Sequence, residues 1–547
     1  MKQSVLKVHK DDNVIVALTN LIKGQHIFFE GETYILQDDI LAKHKFFTQN
    51  VQAGDNVIMY GTLVGTAQQA IPCGGLMHTK NVKHAAAPYH YRAVNYQWTA
   101  PDVTKFKHRT FNGYYRKDGT VGTANYWLFI PTVFCENRNL DVIKEALHNE
   151  LGYAVTDKYK QFTHQLIEAF KHNQSIDDID ILNVPINKNV HRTFKNVDGI
   201  KFLNHQGGCG GIRQDAAVLS KLLAAYANHP NVAGVTLLSL GCQNLQIQDF
   251  KNDLQTLNQN FDKPLFIFEQ QSSESEEQLV AQAIKQTFTG LVQINKIERS
   301  PAPLSKLCIG VKCGGSDGFS GISANPSVGY TSDLLVALGG KVLLAEFPEL
   351  CGAEQNLIDR TTNEAAAKKF MHLMKSYSDA AEQAGSGFHM NPSPGNIKDG
   401  LITDAIKSSG AAKKGGTSPV VDVLDYTEPA TKPGLSLVCT PGNDVEATTG
   451  KAASGATLIL FTTGLGTPTG NPVCPTIKVS TNSNLTKRMN DIIDIDTGPV
   501  IDGEKTIEQM GEDILEYCIK AASGEIIPKA VLLNQDDFIP WKRGVSL

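Results

Sequence analysis

The chain has 547 residues, of which 41% are hydrophobic and 20% are charged, and its formal net charge is -5. A chain of this length predicts roughly two to four domains, and its apolar content is too high for an intrinsically disordered protein. The slightly acidic balance excludes a basic field for nucleic acid, so we expect no nucleic-acid partner.

The sequence also predicts a protein outside the membrane. No stretch reaches the roughly 18 uncharged apolar residues that a membrane helix requires. The first residues, MKQSVLKVHKDDNV, lack the apolar core and the cleavage site of a signal peptide. We therefore predict a cytoplasmic protein whose ten cysteines are reduced. None of them forms a CxxC pair, so neither a zinc ribbon nor a thioredoxin-type motif is indicated.

Residues 1–95 predict a small β-rich module. Short apolar segments alternate there with glycine turns, and the predicted strands are VIVAL (14–18), HIFFE (26–30), YILQ (34–37) and NVIMYG (56–61). The sequence that follows is rich in Ala, Pro, Tyr and His and has little periodicity, so we assign residues 96–110 to a linker.

Beyond the linker, apolar runs alternate with helical segments, which indicates an α/β body with mainly parallel sheets. The runs are typical of strands buried on both faces. The predicted strands are 126–134, 179–186, 234–241, 265–270, 307–315, 341–347, 435–442 and 457–464, and the clearest helices are 139–151, 216–229 and 364–384. We divide this body into a first α/β region, 111–300, and a second α/β region, 301–547.

Cysteines stand at several predicted strand ends, where open α/β sheets bind ligands. Cys135 follows an apolar run, while Cys209, Cys242 and Cys313 lie beside glycines and polar residues. They could be small hydrophobic residues, a catalytic thiol, or thiolate ligands of iron, zinc or an iron–sulfur cluster. In the last case Cys209, Cys242 and Cys313 would hold three irons of a 4Fe-4S cluster and leave the fourth open for substrate.

Other candidate residues are acids, bases and hydrogen-bonding groups in the same loops. His205, near Cys209, is the first candidate for a base or ligand, and Glu349 and Lys398 follow. Glu349 could equally belong to an ordinary charged first helical turn. The loops also offer neutral and acidic groups for a polyhydroxylated anion, namely Ser316, Asp317, Asn396, Asn443, Asp444 and Thr467. No GxGxxG or GxxxxGK[ST] motif signals a nucleotide.

Three residues of the first module are weaker candidates. His44 and Lys45 lie in the turn KHKFF, and His78 lies in GGLMHTKN. An isolated surface histidine is usually only solvated. The alternative is that His44 and Lys45 contact substrate and that His78 is a metal ligand.

Together these blocks resemble the altronate dehydratase family, which includes galactarate dehydratases. The resemblance rests on HKF near residue 44, VGTANYWLFIPTVFC, GCGG, LGCQN, CGGSDGFSGISANP, EFPELCGAEQ, NPSPGN, PGND and TGLGTP. It covers residues 5 to 547, and its long blocks CGGSDGFSGISANP and FPELCGAEQ are the most specific. It implies that residues 1–95 are a SAF-like β-clip module and adds Asn125 and Asn325 to the candidate substrate contacts.

The resemblance further implies a hydro-lyase that converts a sugar acid, foremost D-altronate, to a 2-keto-3-deoxy acid (2-dehydro-3-deoxy-D-gluconate). Fe²⁺ or Mn²⁺ would act as Lewis acid, and the cysteine-bound cluster is the alternative. Galactarate dehydratase and sulfolactate sulfo-lyase are the alternative activities. A non-catalytic carbohydrate-binding protein would not need so many polar strand ends. The sequence leaves open whether the chain forms a homo-oligomer.

Three positions depart from the family pattern. Members often carry an arginine just before Asn125 and another in the TG-x-GTP loop, where this chain has Ala124 and Leu465. The residue after Cys242 is Gln243 in place of a glutamate. Arginines are natural partners of carboxylates, so the absence of arginine at positions 124 and 465 affects which sugar acid we expect the chain to bind. A single site that uses all the candidates also requires His205 and Cys209 to lie near Cys313 and Glu349.

Overall fold

The computed structural model describes residues 3–154, 158–183 and 191–546. The N-terminal module consists of short antiparallel strands in three small sheets, ordered β1-β2-β5, β3-β4 and β6-β7-β8. Its strands are β1 (Val5–Leu6), β2 (Val14–Ala17), β3 (His26–Phe29), β4 (Glu32–Ile35), β5 (Lys45–Phe47), β6 (Asn56–Met59), β7 (Thr62–Ala67) and β8 (Val82–Lys83).

The module shares a hydrophobic core with the rest of the chain. Neighbouring residues of β5 point to opposite sides, as the period of a strand requires. Phe46 packs in a core within the module, whereas Phe47 packs in a core that includes Phe319, Ile322 and Leu401 from the far end of the sequence. Burial of these side chains therefore fixes the module on the body.

The segment after the module follows the surface of the body and contains no helix or strand between residues 84 and 109. Polar contacts hold it there. Tyr96 donates a hydrogen bond to the Thr417 carbonyl oxygen at 2.6 Å, and Arg109 pairs with Glu516 at 2.8 Å.

The next region is built on a four-stranded parallel sheet with the order β12-β11-β13-β14. Its elements are β9 (Thr110–Tyr115), β10 (Val121–Gly122), β11 (Tyr126–Pro131), α1 (Asn137–Leu151), α2 (Lys158–Lys171), β12 (Gly199–Phe202), α3 (Arg213–Asn228), β13 (Val232–Ser239), α4 (Ile247–Leu257), β14 (Leu265–Glu269), α5 (Glu276–Ile294) and β15 (Ser300–Pro303). Strands β9, β10 and β15 form a separate antiparallel sheet.

Both faces of this parallel sheet are buried. Trp127 and Phe129 of β11 pack with α1 and α5 on one face, while Leu128 and Ile130 pack with α3 and α4 on the other. The predicted strand at 179–186 is different. Its described part contains a 3-10 turn at Ile181–Asn183, and the remainder lies outside the described residues.

The last region is a seven-stranded parallel sheet with the order β18-β19-β17-β16-β20-β21-β22. Its elements are β16 (Cys308–Cys313), α6 (Ala324–Ala337), β17 (Lys341–Ala345), α7 (Glu354–Asp359), α8 (Glu364–Gln383), α9 (Pro394–Lys398), α10 (Asp404–Ala412), β18 (Val420–Leu424), β19 (Gly434–Val438), α11 (Asp444–Ala453), β20 (Leu458–Thr463), β21 (Thr476–Ser480), α12 (Ser483–Arg488), β22 (Ile495–Asp496), α13 (Gly498–Ile501), α14 (Ile507–Ala522) and α15 (Lys529–Leu532).

The two parallel sheets are joined by one apolar core. Residues of α3 and β11 share it with Leu343 of β17, Val438 of β19 and Phe461 of β20. The predicted architecture, a small β module followed by a large α/β body with parallel sheets, is therefore confirmed. None of the helices in the described ranges combines the length and apolar character that a membrane crossing needs.

Candidate active site

A buried cluster of charged side chains lies at the carboxyl end of the seven-stranded sheet. We call it the lysine–carboxylate centre. It comprises Lys312, Cys313, Glu346, Glu349, Lys407, Lys414, Asp444 and Lys451. Strands β16 and β17 and helices α10 and α11 contribute to it, so the parallel topology brings together residues that are far apart in sequence.

Glu346 is the anchor of this centre. It directly follows β17 and has a left-handed backbone with φ of 73°, an unusual conformation for a residue with a side chain. Its buried carboxylate pairs with Lys312, with Lys414 at 3.2 Å and with Lys451 at 3.6 Å. Burial acts to raise the pKa of Glu346, but the three ammonium groups hold it well below its usual range.

Cys313 and Glu349 form the second half of the centre. Lys414 Nζ lies 2.7 Å from Cys313 Sγ, which lies 3.5 Å from Glu349 Oε2. Glu349 Oε1 pairs with Lys407 Nζ at 3.0 Å. Burial raises the pKa of the Cys313 thiol although Lys414 opposes this effect. Burial acts to lower the pKa of Lys407, but Glu349 more than compensates and raises it. We therefore treat Cys313 as a thiol and Lys407 as an ammonium group.

The charges in the centre do not balance internally. Within the described residues, Lys312, Lys407, Lys414 and Lys451 form ion pairs with three carboxylates, those of Glu346, Glu349 and Asp444. Buried charges normally occur in pairs, because desolvation of an unpaired charge is costly. Burial lowers the pKa of Lys451 to about 8, and its Nζ has no hydrogen-bond partner among the described residues. The centre is therefore suited to one further anionic group.

The N-terminal module covers the loop next to this centre. Lys43 pairs with Asp317 at 3.0 Å and with Asp399 at 2.9 Å. Lys45 is fully buried and donates to the Gly400 carbonyl oxygen at 2.6 Å, and burial lowers its pKa to about 7. A Cβ at Gly400 would collide with the backbone of Lys43, and its φ of 92° also favours glycine.

His44 and Lys398 meet through the backbone. His44 Nε2 lies 3.0 Å from the Lys398 carbonyl oxygen, and burial lowers the pKa of His44. The Lys398 side chain is exposed at the end of α9. The structure therefore places Lys398 on the rim, whereas Lys407 on the next helix holds the buried position beside Glu349.

The glycine-rich loop after β16 presents an unused polar group. Ser316 is buried, and its hydroxyl has no hydrogen-bond partner among the described residues. Asn396 fixes the loop by donating to the Ser316 carbonyl oxygen at 2.8 Å. The backbone nitrogen of Leu465 donates to the Gly315 carbonyl oxygen at 3.1 Å, and Thr467 Oγ1 lies against Gly315. Because an orphan buried hydroxyl is costly, Ser316 is a natural ligand contact.

Other predicted contacts near the centre have their side chains occupied. Asp317 accepts hydrogen bonds from Phe319 N and Thr481 Oγ1, both at 3.1 Å, besides its ion pair. Asn325 donates to the Gly410 carbonyl oxygen at 3.0 Å. Asn443 caps α11 by accepting from the backbone of its first turn. These residues shape the loops. At the start of α11, it is Asp444 that pairs with a lysine of the centre.

Two predicted site residues lie elsewhere. Asn125 stands at the amino end of β11, where it donates to the Asn196 carbonyl oxygen at 2.7 Å and accepts from Arg116. Ligand sites form at the opposite end of parallel strands, so the prediction of Asn125 as a substrate contact does not fit this position. Within the described residues, His78 joins no convergent group of metal ligands, and its Nδ1 accepts from Lys80 N in a turn.

His205 does not fit the role of a general base. Its Nε2 donates to the Pro131 carbonyl oxygen at 2.8 Å, and its Nδ1 accepts from Gly207 N at 3.1 Å. Burial lowers its pKa to about 4. Both ring nitrogens are thus engaged with backbone, and no lone pair remains to accept a substrate proton. His205 instead fixes the glycine-rich turn that carries Cys209.

The candidates for the predicted single shared site are distributed over the two parallel sheets. Cys209 and Cys242 are exposed on loops of the four-stranded sheet, whereas Cys313 is buried in the lysine–carboxylate centre. His205 and Cys209 line a separate cavity of about 590 Å³. The first turn of α11 contributes to both places, because Glu446 lines the cavity and Asp444 pairs with Lys312.

Two groups of potential metal ligands converge in the described residues. In the group Cys313, Glu346 and Glu349, both carboxylates already pair with lysines, so a divalent cation there would compete with ammonium groups and does not fit. The other group is His84, Cys351 and Asp404. Asp404 is fully buried and its Oδ2 has no hydrogen-bond partner among the described residues. Nitrogen, sulfur and oxygen donors of this kind suit a first-row transition metal.

The sequence reasoning missed the lysines that dominate the centre. Lys312 lies inside the apolar strand CIGVKC, and Lys451 lies in a helix of small residues. A lysine between residues that are buried on both sides is the signal that could have identified them, because lysine is almost never fully buried without a partner.

The fold and site define an α/β protein with a buried, positively charged centre that is suited to a small anion. Three family models match the chain: "Altronate/galactarate dehydratase SAF domain" at residues 3–85, "D-galactarate dehydratase/Altronate hydrolase, second domain" at 113–295, and "D-galactarate/Altronate dehydratase, C-terminal" at 304–546.

Curated relatives agree with these matches. An altronate dehydratase of Bacillus subtilis is 33% identical over 100% of both chains, and one of Escherichia coli is 32% identical over 99% of both. A galactarate dehydratase (L-threo-forming) of Escherichia coli is 31% identical over 95% of this chain and 93% of its own length. The chain belongs to the altronate/galactarate dehydratase family and is a hydro-lyase that acts on a sugar acid.

Proposed function

We propose that the chain dehydrates D-altronate to 2-dehydro-3-deoxy-D-gluconate. The surplus of one positive charge in the lysine–carboxylate centre carries this proposal, because D-altronate has one carboxylate. The two altronate dehydratases that match the whole chain support the same substrate. Galactarate, with two carboxylates, is the second candidate, since one relative is named for it.

Dehydration of a 2,3-dihydroxy acid needs a base for the C2 proton and an acid for the departing C3 hydroxyl. Glu349 takes the C2 proton, and the electron pair of that bond forms the C2–C3 double bond as the C3–O bond breaks. The Lys407 ammonium group protonates the leaving hydroxide, which departs as water. The resulting enol then takes up a proton at C3 and becomes the 2-keto acid.

The remaining lysines bind and orient the substrate. Lys414 and Lys451 offer ammonium groups to the substrate carboxylate, and a negative charge on it would complete the charge balance. The unpaired hydroxyl of Ser316 is available for a substrate hydroxyl. Burial of these groups excludes water and strengthens each charge interaction.

The proposal includes a metal ion, Fe²⁺ or Mn²⁺, held by His84, Cys351 and Asp404. Such an ion supplies Lewis acidity that stabilises negative charge on substrate oxygens. Asp404 and Lys407 lie one turn apart on α10, so this ligand group is next to the acid–base pair. We also propose a cytoplasmic location, a sugar acid as the small-molecule partner, and a chain that is able to form a homo-oligomer.

A substrate panel tests this function. The purified chain, loaded with Fe²⁺ or Mn²⁺ without oxygen, is assayed for 2-keto-3-deoxy acid from D-altronate, galactarate and sulfolactate. We expect the highest kcat/KM with D-altronate. A higher value with galactarate or sulfolactate would overturn the substrate assignment. His84→Ala should lower activity and the content of bound ion together, and an unchanged ion content would remove the proposed ligand group.

A further inference from the structure

The carboxyl edge of the four-stranded sheet carries three cysteines on neighbouring loops. Cys135 follows β11, Cys209 follows β12 and Cys242 follows β13. These strands are adjacent in the order β12-β11-β13. All three run parallel, so the loops that follow them emerge at the same edge.

These are the exposed cysteines of the chain. All ten cysteines lie in the described residues and none is in a disulfide, but the other seven are buried or half-buried. A cysteine without a role is usually buried as a small hydrophobic residue. Exposure of three thiols at one sheet edge, and nowhere else in the described residues, therefore needs a chemical explanation.

Hydrogen bonds tie the loop of Cys135 to the loop of Cys209. Phe134 N donates to the Gly207 carbonyl oxygen at 3.1 Å. Asn137 Nδ2 donates to the His205 carbonyl oxygen at 2.8 Å. The two cysteines are thus each within a few residues of a direct contact between their loops.

The loop of Cys242 is joined to both others. Asn244 N donates to the Gly208 carbonyl oxygen at 2.9 Å. Gln243 Nε2 donates to Thr132 Oγ1 at 3.2 Å and to Ser239 Oγ at 2.8 Å. Gly208 has φ of 95° and packs so tightly on Thr132 that any side chain would collide. The three loops form one rigid platform.

We propose that Cys135, Cys209 and Cys242 bind an iron–sulfur cluster. Thiolates favour iron–sulfur clusters, zinc and copper(I) over magnesium or calcium. The three sulfurs do not converge as ligands of a single ion would, since they are absent from the convergent groups found among the described residues. A cluster with several irons spans thiolates that stand further apart.

Three protein ligands leave one iron of a 4Fe-4S cluster without a cysteine. The cavity of about 590 Å³ borders the same platform and is lined by Cys209, Asn137 and Asn244. His205 is excluded as the fourth ligand because both ring nitrogens are engaged with backbone. The open position is left for a non-protein ligand, such as a small molecule in this cavity. The cluster does not rest on the proposed function, whose substrate lies in the lysine–carboxylate centre.

The test is the metal content of the full chain purified without oxygen. We expect about four acid-labile sulfide ions per chain, at least as many iron ions, and a broad absorption band near about 400 nm. Cys135→Ser, Cys209→Ser and Cys242→Ser should each lose most of the iron, the sulfide and the band. Cys73→Ser is the matched control, because this half-buried cysteine lies in the N-terminal module.

Several results would overturn the proposal. Iron without sulfide, or zinc in its place, would exclude a cluster. Retention of the cluster in Cys135→Ser together with its loss in Cys313→Ser would assign the third ligand to the lysine–carboxylate centre. Circular dichroism of each variant identifies any that fail to fold, and chemical reconstitution of the wild-type chain with iron and sulfide then decides. None of these readouts depends on turnover, so failure of the proposed function would be distinguishable.

Discussion

The two parallel sheets present opposite kinds of chemistry at their carboxyl edges. In the seven-stranded sheet, lysines and carboxylates are buried and hold one another in place. In the four-stranded sheet, three thiols are exposed on loops that the backbone has made rigid. The same topological position thus carries a buried, charge-paired cluster in one sheet and exposed soft donor atoms in the other.

The difference follows from the cost of burial. Buried charges normally need partners, so the lysine–carboxylate centre is a network of ion pairs that removal of one member disrupts. A neutral thiol has a small free-energy cost both in solvent and in the core. The edge of the four-stranded sheet that carries Cys135, Cys209 and Cys242, here called the cysteine edge, can therefore remain open to a ligand. Changes in the first region should therefore affect activity and stability together, whereas changes in the second should affect metal content first.

The largest expected effect is on catalysis at Glu349. Glu349→Gln preserves the size of the side chain and removes the proposed base, so kcat for sugar-acid dehydration should fall by roughly 100- to 10,000-fold. Steady-state kinetics measure this. Glu364→Gln, on the exposed first turn of α8, is the control and should leave kcat unchanged. A kcat for Glu349→Gln within a few-fold of wild type would exclude Glu349 as the base.

The next effect is on the attachment of the N-terminal module. Asp317→Asn removes the buried partner of Lys43, and the free energy of unfolding should fall by about 3 kcal/mol. Urea unfolding measures it. Asp379→Asn breaks an exposed pair with Lys375 and should cost less than about 1 kcal/mol. Equal effects of the two variants would show that the module is not held by this ion pair.

At the cysteine edge, stability should depend on pH through His205. Its folded pKa of about 4 is below the unfolded value of 6.5, so its contribution is complete above pH 6.5. Below pH 6.5 the unfolded state binds a proton that the folded state does not. The free energy of unfolding therefore falls by roughly 3 kcal/mol as the pH falls towards 4. The unfolding midpoint of His205→Gln should fall less than that of the wild type between pH 6.5 and 4. The exposed variant His164→Gln is the control and should behave like the wild type. An unchanged pH profile in His205→Gln would refute this role.

The smallest effect concerns substrate choice at Leu465, which lies over the Gly315–Ser316 turn. Leu465→Arg adds a cation there, and a charged hydrogen bond to a second carboxylate is worth about 1.5 kcal/mol. The ratio of kcat/KM for galactarate to that for D-altronate should rise roughly tenfold. Leu532→Arg, on the exposed helix α15, should not change the ratio. An unaltered ratio in Leu465→Arg would place this residue outside the substrate site.

Much of the fold could be predicted because buried parallel strands have a strong signature. The runs at 126–134, 307–315 and 457–464 each contain an observed strand. The short strand Gly199–Phe202 was missed, because four residues give too little pattern. The helix at 364–384 was predicted almost to the residue, since its apolar positions recur at helical spacing.

The site was less predictable, since residue type does not reveal hydrogen-bond partners. His205 has the chemistry of a base, but backbone groups occupy both nitrogens. Asn125 has the chemistry of a substrate contact, but it lies at the amino end of its strand. Cys313 and Glu349 were expected in one site and do lie together. The separation of Cys313 from Cys209 depends on which sheet each strand joins, which the local sequence does not encode.

The most direct test of the central claim is the reaction of D-altronate in D₂O, followed by proton NMR, with the chain purified without oxygen and supplied with Fe²⁺ or Mn²⁺. We expect 2-dehydro-3-deoxy-D-gluconate that carries one deuteron at C3, because the enol takes its proton from solvent. If D-altronate and galactarate both remained unchanged with either ion, this chain would not be a dehydratase of these sugar acids.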